Sequence, residues 1–231
     1  IDALATTVEF LPGVTPHEPI YPIAPKSAQW ACISHLHPDH FVPDTLRAAL
    51  AEDGQVICHQ RVAERVARAG FRVSGLELET PLTLHGITVR PVLAVDGFGD
   101  DQVSWIVEGD GKRIIHCGDT LWHGNWWRIR RRYGPFDRAF LPINGVIMQF
   151  PGLLPTSGIP ASMTPEQAAE AGNILKADAV CPIHYGMFNT APAYAEYPDV
   201  QRTFKEAAQQ RGLAIEWLKS GDFVNWEQRT S

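Results

Sequence analysis

His35-Leu36-His37-Pro38-Asp39-His40 puts four metal-capable side chains within six residues. The apolar run Trp30-Ala31-Cys32-Ile33 leads straight into it and reads as a buried strand ending at the motif. On an extended chain residues i and i+2 point to the same side, so His35 and His37 converge on one ion. Asp39 and His40 follow where the strand gives way to a loop, ahead of Pro43-Asp44, which opens a helix. They can therefore turn toward a second ion beside the first. Imidazole and carboxylate ligands suit zinc, manganese or iron. The competing reading is a solvated histidine loop, and four potential ligands in so short a span argue against it.

The rest of the chain sets the frame. Its 231 residues, 45% hydrophobic, suffice for one sizeable core, and strands and helices alternate without a linker or repeat, so a single domain over 1–231 is expected. No apolar run approaches the roughly 18 residues of a membrane span. A net charge of −6 argues against a nucleic-acid groove. The basic cluster Arg128-Ile129-Arg130-Arg131-Arg132 reads as a solvated helix face, with an anion-steering patch as the alternative. Cys32, Cys58, Cys117 and Cys181 sit apart in apolar segments, without C-x-x-C spacing. That fits small buried thiols in a reducing, cytoplasmic setting.

Local signals place the elements. Gln55 to Cys58 reads as a strand and Gln60 to Ala69 as a helix with Val62 and Val66 on one face, ended by Gly70. His85-Gly86 and Asp110-Gly111 mark tight hairpin turns. Thr164-Pro165-Glu166-Gln167 combines an N-cap, a Pro at the first helical position and a capping-box Gln, for a helix to about Lys176. A strand carrying Cys181 and His184 follows, and Pro198 to Arg211 is the last long helix. Early hairpins and later strand-helix alternation fit two sheets covered by outer helices.

H-x-H-x-D-H resembles the signature of the metallo-β-lactamase superfamily, and three other segments match in order. Ile114-Ile115-His116-Cys117-Gly118-Asp119-Thr120 resembles the family's G-D-T strand end, Ala179 to Gly186 its last ligand strand, and Ile1-Asp2 the end of an early strand. The likeness runs from Asp2 to about Trp226. Phe41, Met163-Thr164-Pro165-Glu166 and His184-Tyr185-Gly186 look most like the ascorbate-6-phosphate-lactonase-like branch, close to the N-acyl-phosphatidylethanolamine phospholipase D group. The resemblance implies an αββα sandwich of two mixed β-sheets covered by outer helices, with the first strands of the fold, expected before Asp2, absent from this sequence. It implies two divalent metals, with Asp119 as bridge, His184 on the second ion and Asp2 supporting from behind.

The third ligand of the first ion departs from the family pattern. A His is usual there, and this chain has Asp96 in Pro91 to Gly99, with Asp100 and Asp101 close behind. Asp96 as ligand would shift preference from zinc toward manganese or iron. His116 or His123 filling the gap is a second account. The third leaves site one empty, with Asp39, His40, Asp119 and His184 holding a single ion.

The pocket wall is expected from Trp122, His123, Asn144 and Tyr185, with Asn144 as an amide donor to a developing oxyanion. Core packing and simple turn chemistry are the alternatives for the aromatics and for Asn144. His59 reads as a surface or capping residue, and His17 and His85 as loop residues. The apolar segment 145–162 fits a lid, a contact with a second subunit or, less well, a membrane-facing loop. The expected activity is hydrolysis of an ester, lactone or phosphoester of small size by a metal-activated water, with Asp39 and Asp119 as catalytic carboxylates. A single-iron oxidoreductase and a non-catalytic metal- or partner-binding protein are the rival readings.

Overall fold

The structure, a computed structural model, describes residues 24–150 and 152–226; Asp2 and His17 lie outside them. Two sheets stack with helices on both outer faces. The smaller contains β1 (Ala28–Cys32), β2 (Leu50–His59) and β3 (Val73–Leu76), parallel throughout. Its strands alternate as the pleat requires. Cys32 and Ile57 face the larger sheet, while Ile33, Val56 and Cys58 face α1 (Pro43–Ala49) and α2 (Gln60–Arg68). Val62 and Val66, one helical turn apart, are the buried stripe of α2.

The larger sheet is mixed, in the order β10-β8-β7-β6-β5-β4. Its strands are β4 (Leu82–Leu84), β5 (Ile87–Leu93), β6 (Val103–Gly109), β7 (Lys112–His116), β8 (Phe136–Pro142) and β10 (Ala177–Ile183). Val89, Val103 and Trp105 pack on Cys32, Ile57 and Leu76 to form the layer between the sheets. The opposite face, with Val92, Ile106, Ile115, Leu141 and Val180, packs on α3 (Trp126–Tyr133), α4 (Pro165–Leu175) and α5 (Val200–Gln210). Each fully buried Ile or Leu there contributes about 2 kcal/mol. The αββα layering expected from the sequence is therefore present.

The local signals act as read. His85-Gly86 and Asp110-Gly111 turn with positive φ at both residues, which matches the twist of the hairpins they close. Thr164 and Gln167 form a reciprocal capping box and Pro165 opens α4. A Cβ at Gly172 would lie 2.5 Å from Val180 Cγ2, so this helix rests closer to β10 than any other residue would permit. His59 caps α2 through Nδ1, accepting from Arg61 N, but it is buried rather than on the surface. Arg128 and Arg132 both pair with Glu79, so part of the basic cluster is matched within the chain.

All four cysteines are buried, and none forms a disulfide among the described residues. Burial pushes the Cys58, Cys117 and Cys181 thiols up to about 12, so they stay protonated and unreactive at neutral pH. No helix among the described residues is long and apolar enough to cross a membrane.

Candidate metal centre

The strand directions bring the ligands to one edge. In the larger sheet β5, β7, β8 and β10 run the same way, so the loops leaving them share that edge with the loop leaving β1. Ligands collect outside the carboxyl ends of strands in such sheets. Ser34 O accepts from Val103 N, which ties the exit of β1 to the entry of β6. Both His40 N and Phe41 N then donate to His37 O, and this turn swings Asp39 and His40 back over the edge. Asp96 follows β5, Asp119 follows β7, and His184 follows β10 with φ 58°. At Gly118, also at φ 58°, a Cβ would lie 2.9 Å from Gln102 Nε2, so only Gly presents Asp119 this way.

Two sets of donor atoms result. His35, His37, Asp96 and Asp119 offer atoms that all lie within 4.8 Å of one another, and so do Asp39, His40 and His184. In the first set His35 Nε2 is 2.9 Å from His37 Nδ1 and 3.6 Å from Asp119 Oδ1, and His37 Nδ1 is 3.7 Å from Asp96 Oδ2. In the second, His40 Nε2 is 3.3 Å from both His184 Nε2 and Asp39 Oδ2, and His184 Nε2 is 3.5 Å from Asp39 Oδ2. Asp119 stands between the sets, with Oδ2 3.7 Å from His40 Nε2. Ligands about 2.1 Å from a tetrahedral ion are separated by about 3.4 Å, so these spacings fit metal binding. Ring nitrogens this close repel unless a proton or a cation lies between them. The donor set and its geometry fit two ions.

A further ring of contacts aims the ligands. Ser34 Oγ meets His35 Nδ1 at 3.0 Å, and Asp100 Oδ2 accepts from His37 Nε2 at 2.9 Å, which leaves Nε2 of His35 and Nδ1 of His37 for the ion. Asp96 Oδ1 accepts from Phe98 N and Asp100 N at 2.7 and 3.0 Å, so Oδ2 is the atom turned inward. Gln102 Nε2 donates to Asp119 Oδ1 at 2.7 Å and orients the shared carboxylate. Burial alone would raise the carboxyl groups of Asp39 and Asp119. The charges of His40 and His184 for Asp39, and of His40, His35 and His184 for Asp119, outweigh it and hold both below the usual range. Both remain anionic at neutral pH.

A cavity of about 20 Å³, room for about one water, opens beside these ligands. Its wall is His37, Asp39, Asp119 and His184 on one side and Phe98, Val146, Met148, Ala161, Ser162 and Tyr194 on the other. Residues 145–150 and 152–162 thus fold over the metal edge: β9 (Ile147–Met148) pairs antiparallel with β11 (Tyr194–Ala195), and Val146 and Met148 pack on Phe188 and Tyr194. At the outer end Leu154 and Ile159 are 79% and 74% exposed.

The structure does not bring Trp122, His123, Asn144 or Tyr185 to this wall, in contrast to the expectation from sequence. After Asp119 the chain turns away, with Leu121 N bonded to Val95 O and Trp126 driven into the core. His123 stacks on Trp126 at 4.1 Å, and burial lowers its imidazole to about 4. Trp122 and Tyr185 pack against the same core, Tyr185 edge-on to Trp217. Asn144 is fully buried one layer behind the wall, donating through Nδ2 to Tyr194 Oη at 2.9 Å. His116, the alternative ligand, lies on β7 against Phe140, and it and His123 belong to neither donor set. Gln102, Tyr194 and Phe98 had no motif to announce them; their place follows from long-range packing alone.

Asp96 completes the first donor set where the family has His. Asp96→Ala should weaken that position by about 100-fold or more while leaving the second ion in place. Asp96→His should restore occupancy with a shift toward zinc. Elemental analysis with crystallographic occupancies checks both, and two full ions in Asp96→Ala would remove Asp96 from the site.

Comparison with known proteins agrees with this geometry. A family model described as a beta-lactamase superfamily domain matches residues 2–185. A metal-dependent hydrolase from Thermococcus kodakarensis is 28% identical over 174 residues, 72% of this chain and 70% of that protein. Among solved structures, a metallo hydrolase from Ignicoccus hospitalis superposes with a TM-score of 0.67 at 22% identity, covering 86% of this chain and 79% of that one. A diiron beta-hydroxylase from Streptomyces venezuelae gives 0.68 at 15% identity, covering 84% and 44%. At such identities the superpositions establish the fold alone.

Proposed function

The chain belongs to the beta-lactamase superfamily, and from that premise we propose that it is a metal-dependent hydrolase of a small, uncharged ester or lactone. The observation that carries this is the pair of donor sets sharing Asp119 beside a water-sized cavity. Two divalent cations bound there would bring the pKa of a water between them toward neutrality and polarise a carbonyl. Residues His35, His37, Asp96 and Asp119 would hold one ion, and Asp39, His40, His184 and Asp119 the other. Asp96 adds a hard oxygen to the first set, which favours manganese or iron there over zinc.

The remaining work falls to the side chains. Asp39 lines the cavity, and its Oδ1 is buried without a hydrogen-bond partner among the described residues, so it is placed to accept the proton of the attacking water. Phe98, Val146, Met148 and Ala161 give the opposite wall an apolar surface that excludes bulk water. Among the described residues the lining holds no Lys or Arg to meet a phosphodiester's charge, and its apolar side suits the uncharged remainder of an ester or lactone. Buried cysteines without a disulfide among the described residues support a reducing, cytoplasmic setting.

The test is a panel of nitrophenyl esters, lactones and a bis(nitrophenyl) phosphate, assayed with the metal-loaded protein and again after chelation. Ester or lactone turnover should vanish with chelator and return with manganese or zinc. Faster cleavage of the phosphodiester would reassign the substrate class. Inertness toward all of them with both ions bound would favour a binding role.

A further inference from the structure

The cavity beside the ligands is smaller than any ester. At about 20 Å³ it has room for about one water, and an acyl group needs several times that space. Substrate therefore reaches the ligands only where a side chain of the wall gives way. Val146, Met148 and Ser162 are buried, and Val146 and Met148 are packed against Phe188. Phe98 differs from them: it lines the cavity and is also 40% exposed, so its ring stands between the cavity and bulk water.

The backbone under this ring is held, whereas the ring is not. Phe98 N donates to Asp96 Oδ1 at 2.7 Å. A Cβ at Gly97 would lie 2.3 Å from Ala161 O, so the loop lies flat on the chain that returns toward α4. Asp100 and Asp101 tie the far end of the loop to His37 and Arg61. The ring meets Phe150 edge-on with centroids 6.1 Å apart, and it lies 5.8 Å from His37. These contacts leave its outer side in solvent, and rotation about χ1 carries it outward without moving the loop.

We propose that Phe98 is the specificity-determining residue of this site, a swinging gate whose bulk sets the largest group admitted beside the ligands. This rests on the hydrolase reading and narrows its substrate class to esters and lactones with a short, unbranched acyl chain. Because the fixed loop keeps the Cα of Phe98 at the mouth, the ring narrows the opening in each of its rotamers. Val146 and Met148 offer a short chain an apolar surface on the inner side.

The test needs probes that differ in size and bind without turnover. Acetate and trimethylacetate carry the same charge and ligate a metal through the same carboxylate. The protein is loaded with cobalt(II), which accepts the same nitrogen and oxygen ligands, and dissociation constants are read from its visible absorption. A pocket discriminates by about tenfold or more per methylene, so wild type should bind trimethylacetate about 30-fold more weakly than acetate. Phe98→Ala should cut that ratio about tenfold, and Phe98→Trp should raise it about threefold. Phe98→Leu, which keeps an apolar side chain on the loop, should fall between alanine and wild type. A residue that only packed the loop would weaken both carboxylates alike and leave the ratio unchanged.

Where the ester panel yields a substrate, kcat/KM for nitrophenyl trimethylacetate relative to the acetate should rise about tenfold in Phe98→Ala. The carboxylate ratio needs no turnover, so failure of the hydrolase reading is seen separately, in that panel. The same ratio in wild type, Phe98→Ala and Phe98→Trp would overturn the assignment. So would absence of carboxylate binding in all of them, or loss of cobalt from both Phe98→Ala and Phe98→Leu.

Discussion

Asp119→Ala should release both ions together and reduce turnover of a responsive ester or lactone about 1000-fold or more. Among the described residues, Asp119 is the carboxylate whose two oxygens face different donor sets, Oδ1 toward His35 and Oδ2 toward His40. Its negative charge offsets the repulsion of two neighbouring cations, and its span sets their separation. Metal activation of water and carbonyl is worth several kcal/mol, and each 1.4 kcal/mol is about tenfold in rate. The substitution itself is mild for the fold, since Gly118 still makes the turn and Thr120 still bonds Val95. The comparison is made with metal in excess, by elemental analysis per chain, circular dichroism and initial rates. A variant that keeps two ions per chain, or hydrolyses at the wild-type rate, would remove Asp119 as the bridge.

A second large effect is expected far from the metals. Arg138 on β8 is 3% exposed, and its Nε pairs with the Glu216 carboxylate. Its Nη1 and Nη2 donate to Asp137 O and Asn225 O at 2.8 and 2.7 Å, pinning the C-terminal stretch across the sheet edge. Removing one partner of a buried pair leaves the other charged and poorly solvated, which costs about 3–5 kcal/mol. Arg138→Ala should therefore lower stability by about that amount, measured by denaturant unfolding of metal-free protein. Replacing both residues, Arg138→Met with Glu216→Leu, should recover most of the loss, because neither charge is then stranded. A loss below about 1 kcal/mol in the single variant would show that water reaches Glu216.

What the sequence made legible were features carried by short spans. The alternation through Trp30 and Cys32, the capping box at Thr164 and the positive-φ pairs at the two hairpins depend on neighbours within a few residues, and each acts as read. The converging side of His35 and His37 is of the same kind. Failures came where position is decided at long range. Trp122 and His123 follow Asp119 closely in sequence, yet the chain there is pulled outward by the burial of Trp126. Tyr194 reaches the cavity only because β11 pairs with β9, some 46 residues away by number, and no local pattern encodes that pairing. Gln102 is an ordinary polar residue before a strand until the sheet sets it against Asp119.

The ligands do not all come from one sheet. His35, His37, Asp39 and His40 leave the smaller one, and Asp96, Asp119 and His184 leave the larger. Bound ions would thus be rivets through two layers otherwise held by apolar contact and a few hydrogen bonds, such as Val103 N to Ser34 O and Trp105 Nε1 to Ile33 O. Whatever free energy binds them also resists parting of the layers, about 4 kcal/mol when free metal is a thousandfold above its dissociation constant. Metal supply would then govern the lifetime of the folded chain as well as its rate, and starvation for the ion would first be seen as faster proteolysis.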